Sequence, residues 1–184
     1  MKIAIISDVH NNLANLKKVL DYCKNKKVSK IICCGDLASL ETLDFLCDNF
    51  KPFGIRAFKC NIHFVFGNMD EDHFKTSIFQ QSNGSLNNQV EHKNAIIFEK
   101  FGEAEFDNKK TAFVHFPNKA KKLCETGKYN FVFYGHTHEP WEQDINNCKM
   151  LNPGTVGGER CLPSFAIWDT KNNKFELIRV NELK

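Results

Sequence analysis

The sequence predicts an α/β protein with a mainly parallel sheet in its first half and a second sheet, from a strand-rich second half, packed against it. Three observations carry this. Over residues 2–66, short β-branched apolar runs alternate with stretches whose apolar residues recur at helical spacing, the pattern of βαβ units. Beyond residue 90, strand candidates follow one another with little helix between them. The 184 residues suffice for one domain, taken here as residues 1–184, that buries roughly two-thirds of its unfolded surface.

Lys2–Ser7 reads as a buried strand. Asn11 or Asn12 can cap a helix in which Leu13, Leu16, Val19, Leu20 and Cys23 share one face. Lys30–Cys34 is a second strand, ending at Gly35-Asp36, and Leu40, Leu43, Leu46 and Cys47 mark the next helix. Ile62–Phe66 is a third strand, ending at Gly67-Asn68. Glu71–Gln81 suits a short helix and Ser82–Asn88 a polar loop. Ala95–Phe98, Thr111–Val114 and Asn130–Tyr134 read as strands, with Lys119–Cys124 a short helix between the last two. Lys149–Leu151, Ser164–Asp169 and Lys174–Val180 complete the strands, with a turn at Asn172-Asn173.

Composition narrows the function classes. Hydrophobic residues are 42% and charged residues 26%, ordinary for a soluble globular protein, and 17 Phe point to a Phe-rich core. A net charge of +3 tolerates anionic substrates but is no nucleic-acid signature, and the Lys24–Lys27 and Lys119–Lys122 patches read as solvated helix ends. The eight cysteines form no CxxC pair or short-spaced framework, so all eight are expected as free thiols. The N-terminus has no basic segment followed by a long apolar one, and the run Ile3–Ile6 is too short to span a bilayer. A reducing cytoplasm is the expected compartment.

The metal-capable residues fall at strand ends. Asp8 and His10 follow the first strand, Asp36 the second, Asn68 the third, and His115 and the His136/His138 pair follow later ones. Open α/β sheets bind ligands beyond the carboxyl ends of their strands, so five strand ends deliver oxygen and imidazole donors to one edge. Ser7, Gly35, Gly67 and Gly135 beside these donors permit tight turns and close backbone approach. Singly, each element has an ordinary reading: a capping Asp, a turn, a hydrogen-bonded core histidine. Gly-His-Thr-His is the strongest, and the ordered set leaves little room for a purely structural account.

That set resembles the calcineurin-like metallophosphoesterases. The matching elements are DVH at Asp8–His10, GD at Gly35–Asp36, GNMD at Gly67–Asp70, His115 and GHTH at Gly135–His138. The compact length and NPGT at Asn152–Thr155 resemble the small bacterial and archaeal phosphodiesterase branch. The resemblance implies a four-layer α/β/β/α sandwich, two packed mixed sheets flanked by helices, with a dinuclear metal site. It assigns Asp8, His10, Asp36 and His138 to one metal, and Asp36, Asn68, His115 and His136 to the other. Asp36 bridges, and Asn68 doubles as a substrate contact.

Chemistry agrees. Two cations roughly 3.5–4 Å apart can clamp a phosphate and supply a bridging hydroxide for in-line attack, since a metal lowers the pKa of water towards about 7. Carboxylate, amide and imidazole donors without thiolate suit two divalent ions such as Mn, Ni, Fe or Zn. Cys33 and Cys34 belong to the core instead.

Two departures from the family pattern matter. Many relatives place a proton-donating His directly after the GN, where this chain has Met69; Asp70 beside it is the candidate donor, or else a cap for the following helix. Phe116-Pro117 follows His115 where relatives often have Gly and a polar residue, which bears on substrate contacts at the second metal. Asn12 stands where the family often has an Asn that contacts substrate, or else caps the helix.

The expected activity is metal-dependent hydrolysis of phosphodiesters, and of phosphomonoesters as a further class. The alternative is a protein-binding scaffold of the same fold, like the retromer subunit, but a scaffold is free to lose donors and all seven are present. A nuclease of the superfamily usually carries an added capping domain, for which little length remains. Expected partners are a small phosphate ester, with no membrane and with nucleic acid only as a nucleotide or oligonucleotide substrate; a homo-oligomer is compatible with the sequence.

Overall fold

The computed structural model describes residues 1–54, 60–70, 72–80 and 89–183. Its elements are β1 (Lys2–Ile6), α1 (Leu13–Asn25), β2 (Lys30–Cys33), α2 (Leu40–Asn49), β3 (Ile62–Val65), α3 (Asp72–Gln80), β4 (Gln89–His92) and β5 (Ala95–Phe98). Then come β6 (Gly102–Phe106), β7 (Lys109–Phe113), α4 (Pro117–Glu125), β8 (Phe131–Phe133), β9 (Trp141–Ile145), β10 (Cys148–Asn152), β11 (Ser164–Asp169) and β12 (Lys174–Arg179). The polar loop expected at Ser82–Asn88 lies outside the described residues.

The strands form a seven-stranded sheet, ordered β12-β11-β1-β2-β3-β5-β4, and a five-stranded sheet, ordered β6-β7-β8-β10-β9. Both are mixed. β1, β2, β3 and β5 run parallel in the first, and β7, β8 and β10 in the second.

Strand alternation builds three cores from these sheets. Ile3 and Ile5 of β1, Ile32 of β2 and Trp168 of β11 face the second sheet, where they meet Phe106, Phe113, Phe131 and Phe133. The opposite faces of the same strands (Ala4, Ile6, Ile31, Phe165, Ile167) pack on Leu16, Leu20, Leu43, Leu46 and Phe74 of α1, α2 and α3. Ala112, Val132 and Met150 on the outer face of the second sheet pack on Ala120 and Cys124 of α4. The order is therefore helices, sheet, sheet, helix, the four-layer sandwich expected from the resemblance.

The sequence reading passed over three strands, and each lies at a sheet edge. β9 (WEQDI) is exposed along nearly its whole length, and β4 (QVEH) buries only Val90. β6 (GEAEF) pairs only with β7, its buried ends enclosing more exposed residues. Edge strands with polar faces carry little period-2 signal.

One expectation is overturned. Cys124 and Cys148 form a disulfide with Cα atoms 5.4 Å apart, tying the end of α4 to the start of β10. Their positions 24 residues apart show no motif; helix packing on the second sheet brings them together. Cys23, Cys33, Cys34, Cys47 and Cys60 stand outside the disulfide and are buried, and Cys161, also outside it, is half-buried. No helix among the described residues is long and apolar enough to cross a membrane.

Candidate metal centre

The C-terminal ends of β1, β2 and β3 in one sheet and of β7 and β8 in the other open onto a common edge, and all seven predicted donors stand on the loops that follow them. Five of the seven hold a left-handed backbone: Asp8 (φ 53°), His10 (48°), Asp36 (56°), His136 (72°) and His138 (63°). Residues other than Gly seldom adopt this region, and such outliers persist where surrounding structure enforces them. Here Asp8 N–H donates to Gly35 O at 3.0 Å, and the N–H groups of Val9 and His10 both donate to Asp36 O, at 2.9 and 3.0 Å. The two ligand loops thus brace each other.

Gly67 and Gly135 admit close approach. A Cβ at Gly67 would run into the Asp36 carboxylate, and one at Gly135 would meet the Ser7 hydroxyl and stand 2.7 Å from Asp8 Oδ2.

Two groups of donors result. Around Asp8 Oδ1 lie His138 Nε2 at 3.3 Å and His10 Nε2 at 3.8 Å, the two imidazole nitrogens being 3.3 Å apart. In the second group, His115 Nε2 is 3.2 Å from Asp36 Oδ2 and 3.0 Å from Asn68 Oδ1, and His136 Nδ1 is 2.9 Å from the same Asn68 oxygen. Asp36 Oδ2 also lies 4.0 Å from His10 Nε2, so it faces both groups. Donor atoms of Asp8, His10 and His138 fall within 4.8 Å of one another, as do those of Asp8, Asp36 and His115.

The carboxylates divide their oxygens between scaffold and site. Asp36 Oδ1 accepts the Met69 N–H at 2.8 Å, leaving Oδ2 for the site, while the His136 N–H is shared between Asp8 Oδ2 at 3.0 Å and Oδ1 at 3.3 Å. His115 Nδ1 lies 2.9 Å from Cys34 O, which fixes its proton there and turns the Nε2 lone pair towards Asn68 Oδ1 and Asp36 Oδ2. With Nε2 unprotonated, three acceptors converge here, a set that fits a cation.

The carboxylates and imidazoles also act on one another's charge. Burial alone would raise the Asp8 carboxyl, but hydrogen bonds from His10 and His138 and then the charge of His115 hold it well below the usual carboxylate range. Burial opposes charge on His115, yet the Asp36 hydrogen bond and the charges of Asp36 and Asp8 lift it above an ordinary imidazole. His136 is pushed down by burial and then by His115.

A pocket of about 130 Å³ opens on this cluster. His10, Asp36, Asn68, His136 and His138 line it, and Met69, Glu159 and Arg160 complete its wall. Met69 is 53% exposed. Phe116 covers the other side of the histidines, its ring 4.9 Å from His136 and 5.1 Å from His115.

The structure gives two candidates other roles. Asp70 is 2% exposed, and its carboxylate accepts N–H groups from Gly67 at 2.6 Å, Ala38 at 2.8 Å and Asp36 at 3.1 Å. It clamps the Asp36 and Gly67 loops, burial raises its carboxyl above the ordinary range against these backbone hydrogen bonds, and its described bonds do not run to α3. Asn12 caps α1, accepting Asn15 N–H at 3.0 Å and donating to Gly157 O at 2.9 Å, so both ends of its amide are engaged within the protein.

The sequence reading missed Glu159 and Arg160. Their signal lay in NPGT: Thr155 Oγ1 donates to Asp8 O at 2.8 Å, while Val156 N–H and Gly157 N–H donate to Ser7 O at 3.0 Å and Asp8 O at 2.8 Å. That segment is bolted to the first ligand loop, and the residues after it reach the pocket.

Comparison with known proteins follows the same lines. A phosphodiesterase of Methanocaldococcus jannaschii is 28% identical over 181 residues, covering 97% of this chain and 98% of its own. The solved structure of an archaeal phosphodiesterase superposes with a TM-score of 0.78 at 27% identity, over 97% of this chain and 99% of that one. Vps29 of Entamoeba histolytica, in a complex with Zn²⁺, shares the fold at a TM-score of 0.62 and 17% identity, over 98% of this chain and 100% of that one. The profile of the calcineurin-like phosphoesterase superfamily domain matches residues 1–173, and the chain belongs to that superfamily.

Proposed function

We propose that this chain, as a single domain over residues 1–184, is a metal-dependent phosphodiesterase acting on small phosphate esters at a dinuclear centre. The observation that carries the reading is Asp36 Oδ2, one carboxylate oxygen facing both donor groups, 3.2 Å from His115 Nε2 and 4.0 Å from His10 Nε2. Asp8, His10, Asp36 and His138 would hold one ion, and Asp36, Asn68, His115 and His136 the other. Such ions, of the Mn, Ni, Fe or Zn type, supply Lewis-acid polarisation of the phosphoryl oxygens and a nucleophile from water near neutral pH.

The chain itself positions and shields. Asp70 sets the backbone of Asp36, the Met69 N–H sets its carboxylate, and Cys34 O sets the His115 ring. Hydrolysis at phosphorus releases an alcohol or phenol whose oxygen takes up a proton. Met69 on the pocket wall has none to give, and Asp70 faces backbone, which favours acidic leaving groups. The likeness to the archaeal phosphodiesterases supports diesters as substrates. A reducing, cytoplasmic compartment is part of the same proposal, supported by the six cysteines that stand outside the Cys124–Cys148 disulfide.

The test strips the protein with chelator, reloads it with Mn, Ni, Fe or Zn, and assays a panel of phosphodiesters and phosphomonoesters. The reading expects no turnover without metal and diester hydrolysis on reloading. No hydrolysis with any of the four metals would overturn it.

A further inference from the structure

Glu159 and Arg160 are adjacent opposite charges on the pocket wall. Both are exposed, and among the described residues neither makes a hydrogen bond or an ion pair. Charged side chains beside a cluster of metal donors, with no hydrogen bond or ion pair among the described residues, can act on whatever enters.

Their placement is built. Beyond the contacts of Thr155, Val156 and Gly157 with the Ser7-Asp8 loop, Asn15 Nδ2 donates to Val156 O at 2.8 Å, and Gly158 N–H donates to Thr155 Oγ1 at 3.2 Å. Ser164 N–H donates to Thr155 O at 2.7 Å and closes the neck of the loop. Glu159 and Arg160 therefore project from a short loop pinned at its base. Glu159 lines the same pocket as His10 and His138.

We propose that these two residues set the charge selectivity of the site: Arg160 grips a phosphoryl oxygen, and Glu159 repels a second negative charge, so monoanionic diesters are favoured over dianionic monoesters. Among the residues lining the pocket, Arg160 is the one whose cation is permanent, and its guanidinium suits a phosphate. Grip alone would favour the dianion; Glu159 beside it removes that advantage. The pocket volume of about 130 Å³ suits the phosphoryl group itself, leaving the ester arms outside it. The inference rests on the phosphodiesterase reading above and names the feature of the substrate that the site selects.

The test compares the metal-loaded protein with Glu159→Gln, Arg160→Ala and Arg160→Lys, with metal content matched by emission spectrometry. Activity is read on bis(p-nitrophenyl) phosphate, a monoanion, and on p-nitrophenyl phosphate, a dianion at pH 8. Calorimetry gives the affinity for inorganic phosphate and for dimethyl phosphate. Glu159→Gln should lower the diester-to-monoester ratio of kcat/KM about fivefold and tighten inorganic phosphate by about the same factor, with dimethyl phosphate changed less than about twofold. Arg160→Ala should weaken both anions about tenfold, chiefly in KM, and Arg160→Lys should recover part of the loss. An unchanged ratio in Glu159→Gln, or unchanged affinities in Arg160→Ala, would overturn the proposal. A wild type that hydrolyses neither ester would instead overturn the phosphodiesterase reading, and the calorimetry would still decide this one.

Discussion

Asp70 accepts the backbone N–H of Asp36 at 3.1 Å, so a buried carboxylate outside the donor set holds the residue that both donor groups share. The same carboxylate holds Gly67 and Ala38. Asp70→Ala should leave three N–H groups without their acceptor and cost about 3 kcal/mol or more. Asp70→Asn should keep the fold better and weaken metal affinity by about 10- to 100-fold. Thermal unfolding and metal titration of both variants check this. A pure proton donor would lose turnover with metal affinity intact.

His63 is buried among Phe98, Phe106 and Phe113 with Nδ1 unpartnered, and burial, then the nearby Lys30, pushes its pKa down to about 3. The unfolded chain takes up this proton near pH 6.5, which the folded chain refuses until about 3. The resulting stability is complete above pH 6.5 and should be lost as pH falls towards 3, at about 1.4 kcal/mol per unit. His63→Phe should flatten that slope in chemical denaturation between pH 4 and 7. An unchanged slope would count against the assignment.

Alkylation of unreduced, denatured protein should label six cysteines, with Cys124 and Cys148 protected. In the folded protein Cys161 should react first, being the one free cysteine outside the core. Reduction should lower the unfolding free energy by about 3 kcal/mol, the loop entropy released when a bridge of this span is cut. Eight labels without reductant would contradict the pairing.

Met69 predicts a steep dependence on leaving-group acidity. Aryl esters should turn over well and alkyl esters poorly, because a positioned general acid contributes about 10²–10⁴-fold and the pocket wall offers none at this place. Met69→His should flatten the slope across a series of substituted phenyl and alkyl esters at matched metal content. A wild-type slope near zero, with chemistry rate-limiting, would mean that another group supplies the proton.

Four of the seven predicted donors form a pattern legible in the sequence, each where a buried strand runs out, beside a small residue that lets another loop approach. Asp8, Asp36, Asn68 and His136 all follow that rule. Asp70 and Asn12 could not be resolved from sequence, since a short polar side chain serves backbone N–H groups as readily as a substrate; only the fold shows Gly67, Ala38 and Asp36 gathered around Asp70. Glu159 and Arg160 read as ordinary loop charges until the Thr155 tether to Asp8 carries them to the pocket. The edge strands β4, β6 and β9 pair with their sequence neighbours but carry polar faces with little alternation, whereas the Cys124–Cys148 bridge is set by helix packing between residues 24 apart.

The most direct test of the central claim is metal content and turnover of Asp36→Asn. With one oxygen facing both donor groups, the substitution should empty or weaken both sites together, taking the ratio of metal to protein well below wild type and turnover down by about 10³-fold or more, within the several kcal/mol that metal-ion stabilisation supplies. Wild-type metal content with wild-type turnover would contradict the account.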